Sequence, residues 1–151
     1  MQKLLPLESL RGIAALSVVI FHFNIGSHFN NSFTESGWLM VDFFFVLSGF
    51  VIYLSYKDRL TDLRSLLEYQ KRRFWRLYPL HLIMLIVFLS IEFAKYVAFV
   101  GFGLVPNNPA FSINNLTSFL ANLLLVHNWV LSGLTYNYPS WSISSEFYTY
   151  L

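Results

Sequence analysis

Long apolar runs separated by short polar ones dominate this chain. Four stretches, approximately 10–25, 38–56, 77–100 and 113–131, have the polarity of membrane-crossing helices, given that about 20 mainly apolar residues cross a hydrocarbon core. The second, "WLMVDFFFVLSGFVIYLSY", is the most secure, and the first is short for a span. A fifth apolar helix begins near Trp141. Between these runs, "NIGSHFNNSFTESG", "GFGLVPNNPAFS" and "SGLTYNYPS" read as loops from their Gly, Pro, Asn and Ser content. The pattern predicts an all-α fold, a polytopic transmembrane helix bundle of about four spans plus the start of a fifth, in one domain over 1–151. Because "WSISSEFYTYL" stops at Leu151 inside what reads as a new helix, the chain is expected to be the front part of a longer protein, whose missing C-terminal helices close the bundle.

Composition strengthens the membrane reading: 56% of the 151 residues are hydrophobic and 12% charged, with mean hydropathy +0.52. A net charge of +2 gives no footing for a nucleic-acid partner, and the absence of cysteine excludes disulfides and thiolate chemistry. Lys3 ahead of an apolar stretch superficially resembles a signal peptide. No small-residue cleavage site follows Ile20, so a retained helix is expected. Seven of the ten basic residues (Lys57, Arg59, Arg64, Lys71, Arg72, Arg73 and Arg76) fall in the connection between the second and third spans. That connection, and by counting back the N-terminus, is expected on the cytoplasmic side.

Against this apolar background the polar exceptions are the candidate chemistry. Arg11 and His22 in "LRGIAALSVVIFHF" are eleven residues apart, which in a helix is three turns plus roughly 20°, so they share one face about 16 Å apart. Ionisable residues in a span are costly unless they face a bundle interior or a wet cavity. The alternative is that Arg11 snorkels to the interface and His22 makes one interhelical hydrogen bond. Asp42 stands near the outer end of the second span, as His22 does of the first; in an antiparallel hairpin it would reach similar depth and orient the imidazole. It also fits the start of a helix. Ser48 and Gly49 fit close helix packing better than nucleophilic catalysis.

In "KRRFWRLYP", helical spacing would gather Arg72, Arg73 and Arg76 into a guanidinium cluster suited to phosphate, or to anionic membrane lipid alone. Glu146 lies early in the last apolar segment with Ser142, Ser144 and Ser145 around it. There it is either a buried carboxylate that demands a partner or part of a helix start after Ser140. Glu92 and Lys95, at i,i+3, fit a structural ion pair. His81 and His127 have no ligand-spaced partners and read as packing histidines, so no metal site is expected.

Four stretches in order, "LRGIAALSVVIFHF", "VDFFFVLSGFVI", "RRFWRLYPLH" and "WSISSEFY", resemble the signature segments of the acyltransferase 3 family. The likeness runs over nearly all of the chain. It implies a multi-span enzyme of the bacterial inner membrane that moves acyl groups, often acetyl, from acyl-coenzyme A to hydroxyls of carbohydrate or lipid-linked glycan acceptors. Carried residue by residue, it makes Arg11 and His22 the family's Arg-and-His pair, Asp42 its second-span acid, Arg73 and Arg76 its cytoplasmic arginines and Glu146 its later acid. In that reading His22, Asp42 and Glu146 are catalytic, and Arg11, Arg72, Arg73 and Arg76 hold the donor. Acyl-coenzyme A is then a substrate, with no permanently bound cofactor. The family's members have about ten spans, against four and part of a fifth here. The rival readings are a transporter fragment in which Arg11, His22, Asp42 and Glu146 line a proton or solute path, and a truncated product without activity.

Overall fold

The computed structural model describes residues 5–23, 36–57 and 62–149, with the side chains of Leu5, Glu8, His22 and Phe23 excepted. Lys3, Arg59 and most of the predicted 24–37 loop therefore lie outside the described residues. All regular structure among the described residues is helical, as the apolar periodicity predicts. The chain divides into two units, Met1–Thr61 and Asp62–Leu151.

The first unit is a helical hairpin. Helix α1, Leu5–Phe23, carries Pro6 in its first turn, where the missing N–H is not needed. A 3₁₀ turn at Ser36–Trp38 leads into α2, Leu39–Tyr56. Ala14 on α1 and Leu47 on α2 are buried. The close approach is made at Gly37: a Cβ there would stand 2.5 Å from Phe21 Cβ and 3.2 Å from the Ser17 carbonyl oxygen. Only a residue without a side chain fits, and the contact sets the start of α2 beside the last turns of α1. The segment Ser36–Tyr56 is long and apolar enough to cross a membrane, whereas the apolar part of α1, Ser9–Phe21, falls short of that length.

The second unit is built on α3, Leu63–Phe102, a single helix of 40 residues. The basic connection and the predicted third span are thus one element. At 1.5 Å per residue it is about 60 Å long, twice the roughly 30 Å of a hydrocarbon core, so its basic first turns extend beyond any lipid that its apolar part crosses. Its start is fixed by a capping box. Asp62 Oδ1 accepts from the Ser65 backbone N–H at 3.2 Å, and Ser65 Oγ accepts from the Asp62 N–H at 3.3 Å. The bonds from Ser65 hold the Asp62 carboxyl below its ordinary pKa. Gly103, at φ 67°, ends the helix in the left-handed conformation that glycine adopts freely.

Tyr69, Arg73, His81, Leu85 and Glu92 are the buried residues of α3. Their spacing draws one stripe along the helix, and the segment after Gly103 folds back over it. The predicted fourth span, 113–131, is not a continuous helix. It is α4, Leu116–Leu123, followed by a break and a single turn, α5, His127–Val130. Among the described residues two helices, Ser36–Tyr56 and Leu63–Phe102, have span length and composition, so the expected count of four is not confirmed. The predicted last helix is present as α6, Trp141–Thr149, entered through a 3₁₀ turn at Tyr138–Ser140.

The break has a physical cause. A helix that stops leaves carbonyls without helical partners, and here four successive ones accept from side chains, the first of them also from the Leu125 backbone N–H at 3.0 Å. The Asn122 carbonyl accepts from His81 Nε2 at 2.9 Å and the Leu123 carbonyl from Tyr78 Oη at 3.1 Å. The Leu124 carbonyl accepts from Tyr148 Oη at 3.0 Å, and the Leu125 carbonyl from Ser144 Oγ. Irregular backbone at membrane depth persists only where protein or enclosed water satisfies it.

Candidate active site

In the hairpin, α1 carries both Arg11 and His22, so the shared stripe read from their spacing exists in the backbone. Arg11 is partly exposed, one turn before buried Ala14. Val18 and His22 follow at four-residue steps on the same row, although the His22 side chain lies outside the described residues. Asp42 is in the first turn of α2 and exposed. The Gly37 contact places the backbones of His22 and Asp42 at the same end of the hairpin, as the antiparallel arrangement requires.

On α3 the predicted guanidinium cluster divides. Lys71, Arg72, Trp75 and Arg76, with Glu68, line an open recess of about 680 Å³. Glu68 makes long pairs with Arg64 at 3.6 Å and Arg72 at 3.8 Å, all three exposed. Arg73 is turned the other way because one residue rotates the helix by about 100°. Its side chain is 8% exposed, its Nη2 stands 3.4 Å from Glu146 Oε1, and the same nitrogen donates to the Glu146 backbone carbonyl. Two residues that the sequence assigned to different tasks, one to the donor and one to catalysis, are thus partners. Glu146 therefore has its cation, the condition that burial of a carboxylate imposes.

Glu92 does more than its spacing shows. Lys95 lies 2.7 Å from Oε1, as the i,i+3 reading expects, and Asn114 Nδ2 donates to the same oxygen at 2.7 Å. The Phe111 backbone N–H donates to Oε2 at 2.9 Å. Phe111 has φ 61°, a costly conformation for a residue with a Cβ, and Glu92 holds it there. Tyr136, at φ 52°, is held similarly by Asn114 Oδ1, which accepts its N–H at 2.6 Å.

The feature that the sequence reading did not assemble is a buried polar cluster around His81 and His127. The two rings are parallel within 3°, with centroids 5.8 Å apart. Asn122, Thr135, Ser140 and Ser144 are buried with them. His81 Nε2 meets the Asn122 carbonyl, and His127 Nε2 stands 3.3 Å from Ser140 Oγ. Polar residues at 115, 118, 122 and 127, repeating inside an apolar run, were the available signal. Among the described residues no group of three or more His, Asp or Glu side chains is placed to hold a metal ion.

The described residues form an all-helical protein with two helices long and apolar enough to cross a membrane, and comparison with known proteins supplies its family. The model of the family described as "Acyltransferase domain" matches residues 6–151, and the chain belongs to that acyltransferase 3 family. It is 32% identical over 162 residues to the acyltransferase MdmB of Streptomyces mycarofaciens, covering 99% of this chain and 38% of that protein. It is 34% identical over 97 residues to protein 2 of the picA locus in Rhizobium radiobacter, covering 64% of this chain and 49% of that protein. An 86-residue stretch is 36% identical to the O-acetyltransferase OatA of Staphylococcus aureus, covering 56% of this chain and 13% of that protein. The chain thus spans less than half the length of each of these relatives. No solved structure matches it significantly.

Proposed function

We propose that the protein acts as a membrane-bound O-acyltransferase of the bacterial inner membrane, moving an acyl group, acetyl above all, from acyl-coenzyme A to a hydroxyl of a carbohydrate or cell-envelope acceptor. The observation that carries this reading is the family match over residues 6–151, to which the O-acetyltransferase relative adds the kind of group moved. The N-terminus and the basic start of α3 are assigned to the cytoplasmic side by the excess of Lys and Arg there, which is also the side from which coenzyme A comes.

The chemistry asks for three parts. Phosphates of the donor need guanidinium groups, and Arg72 and Arg76, beside one recess, suit that task. Arg73, paired with Glu146, contributes by holding α6 and its acid in place. A base is needed to take the acceptor proton, and His22 is the residue assigned to it, with Asp42 orienting the imidazole. The acceptor oxygen attacks the thioester carbonyl, the C–S bond breaks, and the hydroxyl proton passes through His22 to the leaving coenzyme A thiolate. An acyl-histidine formed first on His22 is the second route to the same products.

The transporter reading loses ground because a proton path has no use for an arginine-lined recess at the basic end of α3. The test is transfer of labelled acetyl from acetyl-coenzyme A into the glycan fraction of membranes that carry the protein. Incorporation above control membranes is expected. Its absence, with pH-driven solute flux in its place, would overturn the acyltransferase reading.

A further inference from the structure

The loop joining α5 to α6 folds back within the second unit, where Asn122 Nδ2 donates to Thr135 Oγ1 at 2.8 Å. It encloses a recess of about 210 Å³ whose walls include His127, Asn128, Thr135, Ser140 and Trp141. None of these residues takes part in the chemistry assigned to His22.

Two of them stand as a nucleophile stands to its base. Ser140 Oγ is 3.3 Å from His127 Nε2, and both side chains are buried; such pairs are often this loose before substrate binds. His127 Nδ1 is sealed from solvent and contacts the Ala121 backbone. A hydrogen on Nδ1 answers the Ala121 carbonyl and leaves the ring's lone pair on Nε2, facing Ser140. The Ser140 hydroxyl hydrogen rests on the Asn137 carbonyl at 2.6 Å, and Nε2 is its second acceptor. Burial favours the neutral ring before reaction, and the Ser140 and Ala121 backbone carbonyls that face it stabilise the imidazolium once a proton arrives. Those carbonyls play the part of the third, orienting group in a nucleophile and base set. Asn128 Nδ2 donates to Ser145 Oγ at 2.7 Å, which leaves its second amide hydrogen for an oxygen that becomes negative during attack.

The recess also limits the substrate. Its volume lies below the roughly 300 Å³ at which pockets for drug-sized ligands begin, and no Lys, Arg, Asp or Glu lines it. A short acyl group fits there, whereas a phosphate-bearing carrier would find no counter-charge.

We propose that Ser140 is a nucleophile, with His127 as its base, that takes up a short acyl group as an ester. The Oγ–C bond forms as Ser140 attacks the acyl carbonyl, and the C–S bond of a thioester, or the C–O bond of an activated ester, breaks. The hydroxyl proton passes from Oγ through His127 Nε2 to the leaving thiolate or aryloxide. The assignment rests on the acyltransferase reading only for the kind of group carried.

The test is to treat the protein in lipid nanodiscs with p-nitrophenyl acetate and map the acetylated residue by mass spectrometry of the acid-quenched chain. A burst of p-nitrophenolate is expected, with one acetyl group on Ser140. Ser140→Ala should lose the label, and His127→Gln should slow its formation at least about 100-fold. Ser140→Cys should keep the burst and carry the acetyl as a thioester, easily recognised because the chain has no other cysteine; it also reports on the site if Ser140→Ala does not fold. Acetyl found on other residues and not on Ser140, or labelling at the parent rate in His127→Gln, would overturn the proposal. Acetyl transfer from acetyl-coenzyme A by a protein that never labels at Ser140 overturns this nucleophile and leaves the acyltransferase standing. Labelling of Ser140 in a protein that transfers nothing from acetyl-coenzyme A overturns the acyltransferase and leaves the reactive serine.

Discussion

Arg73 of α3 and Glu146 of α6 are 73 residues apart in sequence, and they meet through two contacts from one nitrogen, Nη2, to the Glu146 carboxylate and to its backbone carbonyl. A charge held inside an apolar surface is retained only with such partners. The pair therefore ties the early turns of α3 to the last described helix, and it fixes where the carboxylate stands before any substrate arrives.

The first prediction concerns that tie. Arg73→Ala leaves a partly buried carboxylate and a carbonyl without their donor, and a loss of about 2 kcal/mol is expected. Arg72→Ala removes only an exposed pair to Glu68 at 3.8 Å, worth under about 1 kcal/mol. Thermal unfolding in detergent should rank the two variants in that order. Equal losses would mean that the Arg73 contact contributes little.

His22→Ala is predicted to abolish acyl transfer while membrane insertion survives, because the role assigned to the imidazole is proton transfer and not packing. General-base catalysis contributes about 10²–10⁴-fold, so the expected residual rate is at most about 1% of the parent. Turnover within a few-fold of the parent would refute the assignment.

Arg72→Ala combined with Arg76→Ala should raise the donor KM by at least about tenfold, since two charge-assisted phosphate contacts are lost, while acceptor preference stays as it was. The opposite split, with acceptor preference altered and donor KM constant, would count against a phosphate role for the recess on α3.

How much of this was legible beforehand depends on the range of the interaction. The Glu92–Lys95 pair and the Arg11–His22 stripe are helical periodicity and follow from spacing alone. Helix α2 follows from an unbroken apolar run, and the location of α6 from the shift at "YPSW". The partner of Glu146 could not be read, because nothing local marks which of three nearby arginines turns inward. Nor could the break after Leu123. It depends on Tyr78, His81, Ser144 and Tyr148 arriving from other helices to occupy the freed carbonyls, and an apolar run containing it has the composition of a span. The paired histidines went unseen for the same reason. Each alone reads as a packing residue, and only the return of the chain over α3 stacks them.

The hairpin gives a prediction of the opposite sign to a neighbouring control. At Gly37 an added Cβ would stand 2.5 Å from Phe21 Cβ, an atom close to the backbone of α1 that cannot swing aside. Gly37→Ala is therefore expected to cost about 1–3 kcal/mol by forcing the two helices apart. At Gly12 nothing lies within 4 Å of the same added atom, and Gly12→Ala should be neutral or stabilising by up to about 1 kcal/mol. Detergent melting of both variants decides the matter, and a Gly37→Ala protein as stable as Gly12→Ala would show that the approach is not tight.

The break between α4 and α5 supplies the last prediction. Leu125 sits at φ 58° with its side chain buried, and its carbonyl is taken by Ser144, itself fully buried. Ser144→Ala removes that donor where water has no access, and an unsatisfied buried carbonyl costs about 1–3 kcal/mol. Leu124 accepts from Tyr148 at a more exposed place, so water can replace the phenol and Tyr148→Phe should cost less than about 1 kcal/mol. The two substitutions also differ in where the damage appears. With its anchor gone, the 124–126 turn should open locally, so limited proteolysis of Ser144→Ala should begin within that turn while the ends of α3 remain protected. If Tyr148→Phe proves the more damaging, or Ser144→Ala melts without new cleavage at the turn, the carbonyls are satisfied by something other than these hydroxyls, and the account of why this apolar run does not form one continuous helix fails.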